Sequence, residues 1–559
     1  MTRWAMIADL ERCVGCQTCT AACKHANATS PAVQWRKVLD IEAGSYPEVS
    51  RTYVPVGCQH CEDPPCMHVC PSTATRKRPD GIVTIDYDIC IGCAYCDVAC
   101  PYQARFKVDA ADFAYGAGRQ MQNEAEREDP ARLGVAQKCN FCSDRIDFGL
   151  KNGLTPGVDP RATPACANAC IASALHFGDL DDPASNVSTL MKQHRHFRMH
   201  EEIGTEPGFY YLYEHAGSSV AADGPAERSV PMTQSRIRAR GVEPWHQKHW
   251  DWKAAGNFMT GGIGPGLFAG SAVAAMTVGP SAVLGLLAMT LVGLGLFLVM
   301  MKVGRPLRAI FVLRQPQRSW MSREAWVAIA FFPIALAAVW TGMPALWLAA
   351  AALALMFLFC QGMILREAKG IPVWREHRIV PLIVATGLTE GAGLFLAVCA
   401  VLPALSPLAR SAAAATIVLA AARALAWAAY RSALARDGAP TKALAVFDGY
   451  RLQLLVGGLI VPTVAVIVGM LVHALTAPLF VVAGVAAAAA GLGFKFLLIT
   501  RAGYNQGFAL PHTPVRGTGH PGPAVKPGWT RPSHPRGSNG AAHNEPFWRS
   551  RDEQTERTA

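Results

Sequence analysis

Residues 13–23 read CVGCQTCTAAC, and residues 90–100 repeat the same spacing as CIGCAYCDVAC. Two more cysteine quartets lie in the first third of the chain. The four quartets are Cys13, Cys16, Cys19 and Cys23; Cys58, Cys61, Cys66 and Cys70; Cys90, Cys93, Cys96 and Cys100; and Cys139, Cys142, Cys166 and Cys170. In a CxxCxxC run, three thiolates hold one iron–sulfur cube, and a fourth cysteine a few residues on reaches a neighbouring cluster. The spacing therefore predicts an electron-transfer domain in which these sixteen cysteines ligate iron.

Zinc binding and disulfide formation are the alternative uses of so many thiols. A zinc ribbon uses two CxxC pairs far apart and does not gather three or four thiols in one short run. Disulfides need an oxidising compartment, whereas the N-terminal sequence MTRWAMIADLERC has neither an apolar signal core nor a twin arginine. A zinc-binding membrane transporter or sensor stays as a remote alternative, and it predicts a colourless protein without iron. The remaining Cys360 and Cys399 lie in apolar segments and are expected to be packing residues.

The composition changes near Phe258, where long runs of Ala, Leu, Val, Gly, Ile and Phe begin. A helix of about 20 apolar residues crosses a bilayer, so these runs predict an all-α membrane anchor. The eight predicted spans are residues 258–278, 281–301, 325–341, 344–365, 379–402, 411–430, 452–475 and 478–500.

These patterns predict four regions. Residues 1–183 form an α+β, ferredoxin-type domain with four [4Fe-4S] clusters. Residues 184–257 form a linker, whose end, EPWHQKHWDWK, has the aromatic and basic character of a membrane-interface anchor. Residues 258–501 form the eight-helix anchor. Residues 502–559 are rich in Gly, Pro, His and Arg, and are expected to be a disordered tail.

Lysine and arginine are concentrated in the loops on one side of the predicted bundle. These loops precede the first span and join spans two and three, four and five, and six and seven, whereas the opposite loops hold little beyond Arg410. Positively charged loops remain in the cytoplasm. We therefore expect an inner-membrane protein with both termini and the cluster domain on the cytoplasmic side. The net charge of +11 then requires no nucleic-acid partner.

Longer stretches carry a resemblance to a known family. ERCVGCQTCTAACK, CQHCEDPPCMHVCP, RPDGIVTIDYDICIGCAYCDVACPY and QKCNFC resemble the four-cluster subunit of DMSO reductase family molybdoenzymes. The eight spans and KVGRPLRAIFVLRQPQRSWMSREAW resemble the membrane anchor subunit of the same complexes. The resemblance implies a fusion of the two subunits. Such a chain relays electrons between membrane quinone and a separate molybdopterin catalytic subunit, and holds no molybdopterin itself.

The resemblance also implies how the quartets share their clusters, because quartets one and four exchange their last cysteines, as do quartets two and three. The implied ligand sets are Cys13, Cys16, Cys19 and Cys170 (set one); Cys139, Cys142, Cys166 and Cys23 (set two); Cys58, Cys61, Cys66 and Cys100 (set three); and Cys90, Cys93, Cys96 and Cys70 (set four).

The reaction of the complex is expected to be sulfite oxidation, with electrons passing to quinone. A cytoplasmic cluster domain favours it, and the segments NGLTPGVDPRATPAC and FGDLDDPASNVS resemble the sulfite-oxidising type. The alternative is the opposite flow, from quinol to a terminal reductase for DMSO or another sulfur or nitrogen oxide.

Charged residues in the anchor are candidates for a quinone and proton site, since ionisable groups in spans are costly and often functional. The candidates are Glu324, Lys302, Arg305, Glu390 and Arg423. Helix capping is the alternative role for Glu324, and a structural ion pair is the alternative for Glu390 with Arg423. The anchor has only His377 and His473, which do not supply two facing ligands at one depth, so no haem is expected.

Overall fold

The computed structural model describes residues 2–31, 33–45, 48–110, 119, 121–122, 126, 129–215, 237–240, 242–516, 520–521, 524–526 and 528. The chain folds into two compact units. The first comprises Met1–His68, Ala74–Trp245 and Asn505–Ala559, and the second comprises Val69–Thr73 and His246–Tyr504.

A four-stranded sheet organises the first unit. The strand Trp4–Asp9 is buried at every residue, as its apolar sequence WAMIAD requires. It pairs antiparallel with Leu175–Asp179 on one side and parallel with Phe209–His215 on the other. The strand His194–Phe197 then pairs antiparallel with Phe209–His215 and forms the edge of the sheet. The N-terminal strand therefore lies beside strands that follow it by more than 160 residues.

A second sheet consists of the long hairpin Arg36–Ser45 and Glu48–Gly57, with Ile237–Arg240 paired antiparallel to the first of these strands. Three two-stranded ladders complete the strands of this unit. They are Thr75–Lys77 with Val83–Ile85, Phe106–Lys107 with Ala136–Gln137, and Val515–Arg516 with His520–Pro521.

The helices of the first unit are short, and most contain or adjoin a cysteine of the quartets. They are Thr18–Asn27, Pro65–His68, Tyr95–Ala99, Ser143–Lys151, Ala165–Asn168 and Asn186–Gln193, with 3-10 turns at Pro130–Arg132 and Glu201–Ile203. The described residues thus confirm a small α+β domain.

The predicted linker, residues 184–257, wrongly includes residues that belong to the folded first unit. Its first part forms the helix Asn186–Gln193 and two strands of the central sheet, His194–Phe197 and Phe209–His215. The pattern FYYLYEH supplies the physical reason, because Phe209 and Tyr211 are fully buried on one face of a strand. Residues 216–236 lie outside the described residues.

The expectation of disorder from residue 502 is wrong for the described part of the tail. Phe508, Leu510 and Val525 are at most 1% exposed and join the core of the first unit. Leu510 and Val525 exchange backbone hydrogen bonds of 2.9 and 3.0 Å. A few well-placed apolar residues therefore order a segment whose average composition is polar. Residues 529–559 lie outside the described residues.

In the described part of the chain, eight helices are long and apolar enough to cross a membrane, which confirms the predicted number. Spans one to eight are Trp252–Thr277, Ala282–Met300, Trp320–Thr341, Pro344–Arg366, Ile379–Val401, Pro403–Arg436, Thr441–Leu471 and His473–Thr500. The sixth, seventh and eighth include 3-10 or π-helical stretches at Pro403–Leu408, Gln453–Ile460 and His473–Leu475. The connecting segments contain the 3-10 helix Pro306–Arg314 and the helix Pro372–Arg375.

Several span boundaries differ from the sequence expectation. Span one begins at Trp252 rather than 258, because the Asp251 side chain accepts a hydrogen bond from the Lys253 amide and caps the helix. Spans one and five approach closely at Gly266 and Gly391. A Cβ on Gly391 would lie 2.1 Å from the Gly266 carbonyl carbon, so only glycine allows this contact.

Candidate iron–sulfur and membrane sites

The first cysteine set surrounds a cleft in the first unit. Cys13, Cys16, Cys19 and Cys170 all line it. Cys170 follows the others by about 150 residues. It reaches them because it lies between the helix Ala165–Asn168 and the strand Leu175–Asp179, which pairs with the N-terminal strand. The fold therefore brings together the four thiols that the resemblance assigned to one cluster.

The second set also joins distant residues. The Asn27 amide nitrogen lies 3.7 Å from Cys23 Sγ and 3.8 Å from Cys142 Sγ, so one side chain reaches both sulfurs. Burial raises the pKa of the Cys23 thiol, and the neighbouring Cys139, Cys166 and Cys142 raise it further. Four thiols that repel one another as thiolates need a positively charged group among them, as iron supplies.

The third set shows the same crowding. Burial raises the pKa of Cys61 well above its ordinary value, followed by the effects of Cys58, Cys66 and Cys100. Burial also raises the pKa of Cys100 to about 12, with Cys66 and Cys58 contributing. Cys100 thus lies with the second quartet, although it ends the third quartet in the sequence.

The fourth set is divided between the two units. Cys90, Cys93 and Cys96 belong to the first unit, where Cys96 lies on the short helix Tyr95–Ala99. Cys70 belongs to the segment Val69–Thr73, which groups with the membrane helices. Within that second unit, Ser319 Oγ donates a 2.8 Å hydrogen bond to the carbonyl of Val69, the residue before Cys70.

The loops of the first and third quartets share a backbone geometry. Gly15 and Gly92 have φ values of 71° and 72°, and Gln17 and Ala94, two residues later, also adopt left-handed conformations. A left-handed non-glycine residue costs on the order of 1 kcal/mol. Such strain persists where the surroundings require it. Here the left-handed positions lie inside the CxxCxxC runs, where the chain must curl if three thiolates are to hold one cube.

The donor set fits an iron–sulfur cube better than a single ion. Among the described residues, no group of three or more His, Cys, Asp or Glu side chains has the arrangement that holds one metal ion. The ligands of a cube surround a group of several iron and sulfide atoms, and so stand farther apart than the ligands of one zinc ion.

Two buried arginines near these thiols were not anticipated from the sequence. Arg36 is 1% exposed and Arg105 is 3% exposed. Arg105 Nη2 donates to Cys66 Sγ at 2.9 Å. Their signal in the sequence is weak, since an arginine beside apolar residues normally extends its charge into solvent.

In the membrane unit, Glu324 lies in the second turn of span three and is 5% exposed. The helix begins at Trp320 and has no acidic residue in its first turn, so the capping alternative is wrong. Glu324 Oε1 has no hydrogen-bond partner within the described part of the chain. The Gln361 side chain lies beside this carboxyl group. Gln361 also donates a 2.9 Å hydrogen bond to the Asn257 carbonyl. A buried polar group thus forms between spans one, three and four.

The basic candidates Lys302 and Arg305 follow the end of span two. Lys302 Nζ lies 5.3 Å from the centroid of the Trp250 ring, in cation–π geometry. Arg305 immediately precedes the 3-10 helix Pro306–Arg314.

Glu390 forms an ion pair, but with a residue other than Arg423, the partner that the ion-pair alternative named. Glu390 Oε2 lies 2.7 Å from Lys495 Nζ. Arg423 instead donates to the carbonyls of Ala487 and Gly458, at 2.8 and 2.6 Å. The sequence analysis did not identify Lys495 as the partner of Glu390. Its signal in the sequence is a lysine inside the apolar run of span eight. Arg423 still lies close by, since a Cβ on Gly491 would be 2.6 Å from Glu390 Oε1 and 3.0 Å from Arg423 Nη1.

The N-terminal part of the chain is similar to known iron–sulfur proteins. A family model described as a 4Fe-4S dicluster domain matches residues 49–115. A selenate reductase subunit of Mesobacillus selenatarsenatis is 40% identical over 221 residues, which cover 38% of this chain and 72% of that protein. A putative dimethyl sulfoxide reductase iron–sulfur subunit of Halobacterium salinarum is 41% identical over 226 residues, covering 38% and 79%. A sulfite dehydrogenase subunit of Allochromatium vinosum is 36% identical over 228 residues, covering 38% and 83%.

Proposed function

Because the chain belongs to the family of iron–sulfur subunits that includes those of selenate reductase and sulfite dehydrogenase, we propose that it relays electrons between a separate molybdopterin catalytic subunit and membrane quinone. Four [4Fe-4S] clusters form the path, ligated by the four cysteine sets described above. The eight-helix half makes the chain a multi-pass membrane protein, and in the proposal it supplies the quinone site.

The cleft of set one is the observation that carries this proposal. Cys170 lines this cleft together with Cys13, Cys16 and Cys19, the neighbourhood that crossed ligation of paired clusters requires. Sets two and three have the same crossed neighbours. Paired clusters whose ligands interleave lie close together, as stepwise electron transfer requires. Such a path transports electrons and needs no substrate site in this chain.

The surface around the first cleft supports docking of the catalytic subunit. Val14 and Ile171, each next to a ligand of set one, are 56% and 72% exposed. An exposed apolar rim around a cluster suits a protein partner, because burying it removes water from the path of the electron. Between Cys142 and Cys166, the side chains of Leu150 and Val158 are also exposed.

Glu324 is the proposed proton donor and acceptor at the quinone site. Its buried carboxyl group, with the amide of Gln361, offers a hydrogen-bond donor for a quinone oxygen and a group that exchanges the proton. Reduction of a quinone takes up two electrons and two protons, so a carboxyl group inside the span matches the chemistry. Cys70, a proposed ligand of set four, and Glu324 belong to the same compact unit. Lys302 and Arg305 follow span two and are proposed to assist there.

The proposed path contains no haem. His377 is 65% exposed and its Nδ1 lies 3.1 Å from Glu376, while His473 begins a 3-10 turn at the other end of the bundle. Stoichiometric haem b in the purified complex would contradict this part of the proposal.

Sulfite is the proposed electron donor of the complex. The chain is proposed to lie in the inner membrane, with the cluster domain and both termini on the cytoplasmic side. The catalytic subunit would convert sulfite and water to sulfate, two protons and two electrons. The electrons would pass through this chain to quinone. The similarity to a sulfite dehydrogenase subunit supports this direction, and the similarity to reductase subunits supports the reverse flow as the second candidate.

Anaerobic purification of the complete complex tests the proposal. We expect a brown protein with about sixteen irons per chain, the content of four cubes. Membranes should reduce a short-chain quinone on addition of sulfite. Zinc in place of iron would contradict the cluster assignment. Quinol-dependent reduction of DMSO without sulfite oxidation would establish the opposite direction.

A matched pair of variants isolates the quinone site. Glu324→Gln should lower quinone reduction at least tenfold with unchanged iron content, because the amide cannot exchange the proton. Glu367→Gln, at the end of span four, removes a charge outside the buried group and should leave turnover unchanged. Equal turnover in both variants would exclude Glu324 from the site.

A further inference from the structure

Arg36 is a fully buried cation with few partners of its own. It lies on the strand Arg36–Ser45, where Nη2 donates to Met6 Sδ at 2.9 Å and Cζ lies 4.8 Å from the centre of the Phe209 ring. Its Nε and Nη1 atoms have no hydrogen-bond partner in the described part of the chain. Among the described residues, no carboxylate lies within ion-pair distance of it. Burying such a charge is costly unless an anion compensates it.

The anionic groups near Arg36 are the thiols of two cysteine sets. Burial by itself lowers the pKa of Arg36, but Cys166, Cys139, Cys19 and Cys23 outweigh it and raise the pKa overall. Cys19 belongs to set one, and the other three belong to set two. Thiols of both sets therefore act on the guanidinium, whose contacts Met6 and Phe209 belong to the same buried core as Cys19, Cys23, Cys139 and Cys166.

Arg105 has the same position with respect to sets three and four. Its Nη1 donates to Thr75 Oγ1 at 3.0 Å and its Nη2 to Cys66 Sγ at 2.9 Å. Burial lowers the pKa of Arg105, whereas Cys66, Cys96, Cys58 and Cys100 raise it well above its ordinary value. Cys96 is a ligand of set four, and the other three belong to set three. One buried arginine is thus associated with sets one and two, and another with sets three and four.

We propose that Arg36 and Arg105 are shared counter-charges, each buried beside thiols of two cluster sites, so that it stabilises the reduced state of both and weakens the repulsion between them. This inference rests on the proposed cluster ligation. A cube held by four thiolates is anionic and gains one more negative charge when one electron enters. A fixed cation therefore favours reduction, since net charge and hydrogen bonds to sulfur set the potentials. The electron leaves for the next cluster without breaking any bond.

Redox titration of the holo-complex, followed by EPR, tests the inference. Arg36→Gln should shift the reduction equilibrium of the clusters of sets one and two at least tenfold towards the oxidised state, which is about 59 mV for a one-electron couple. Arg36→Lys keeps the charge and should retain nearly the native potentials. Arg105→Gln and Arg105→Lys should behave in the same way for sets three and four, so each arginine serves as the control for the other.

The outcomes separate this inference from the proposed function. Native potentials in both Gln variants, with full iron content, would overturn the counter-charge role while leaving the electron relay intact. Loss of iron in Arg36→Gln but not in Arg36→Lys would support it, because charge alone distinguishes the two. Loss of iron in both would assign Arg36 a role in packing and overturn the inference. A wild-type protein without clusters would instead refute the proposed function.

Discussion

Lys495 and Glu390 form an ion pair inside the membrane unit, with Lys495 Nζ 2.7 Å from Glu390 Oε2 and both side chains completely buried. The pair joins span eight to span five. A Cβ on Gly262 would lie 1.8 Å from Lys495 Nζ, so span one contributes a glycine that leaves room for the ammonium group. Spans one, five and eight thus pack around one pair of charges.

Removing one partner of this pair should destabilise the protein far more than removing both. Lys495→Met leaves Glu390 uncompensated in an apolar interior, and we expect a loss of about 3–5 kcal/mol of stability. The double variant Lys495→Met with Glu390→Gln should recover much of this loss. Thermal unfolding in detergent measures both effects, with the exposed Lys442→Met as control. Equal stability of the single and double variants would show that the uncompensated charge of Glu390 is not what destabilises the single variant.

Serine substitutions test the crossed ligation. Cys170→Ser should abolish the same EPR signal as Cys16→Ser, and Cys23→Ser the same signal as Cys142→Ser. Each variant that loses one cube should contain about twelve irons instead of sixteen. Cys360→Ser, in span four, should keep all of its iron. If Cys170→Ser and Cys142→Ser remove the same cluster, the ligands follow sequence order and the crossed assignment is wrong.

The sequence predicted the features that depend on local spacing. The cysteine quartets and the eight apolar runs are visible within short windows, because ligand spacing and helix length are local properties. The features it missed depend on distant contacts. Arg36, Arg105 and Lys495 are single charged residues whose meaning comes from what packs around them. Phe508 and Leu510 are too few to alter the composition of the tail, yet both are buried in the core of the first unit.

Glu202 should make the first unit sensitive to acid. Burial raises the pKa of Glu202, but the hydrogen bond and charge of His200, 3.1 Å away, and the charge of Lys526 outweigh it and lower the pKa from 4.5 to about 2. The folded state therefore holds this proton more weakly than the unfolded state. The resulting stability is fully present above about pH 4.5 and is lost as the pH falls towards 2, and solvent screening at this partly exposed residue keeps it below the value of the full shift.

A comparison of variants isolates this effect from acid damage to the clusters. Glu202→Gln should lower the melting temperature of the first unit at pH 7, and its difference from the wild-type protein should shrink as the pH falls below 4.5. The exposed Glu11→Gln should match the wild-type protein throughout. A difference that stays constant from pH 7 to pH 3 would mean that the charge of Glu202 contributes nothing.

The tail segment that contains Phe508 should hold the first unit together. Phe508 is 1% exposed, packs 6.0 Å from Trp245 and lies 5.1 Å from the ammonium group of Lys37. Gln506 in the same segment donates a 3.2 Å hydrogen bond to the carbonyl of Pro101, the residue after Cys100, a proposed ligand of set three. The tail therefore packs beside one of the proposed ligands of set three.

Phe508→Ala should remove about 3–5 kcal/mol of stability, because the lost ring leaves a cavity in a packed core. Since Pro101 follows a ligand of set three, that cluster should be the first to lose iron on exposure to air. Time-resolved loss of the EPR signals measures this order. Phe148→Ala removes a ring that is 38% exposed and should change neither stability nor the order. Simultaneous decay of all four signals in Phe508→Ala would show that the tail stabilises the domain as a whole rather than this cluster.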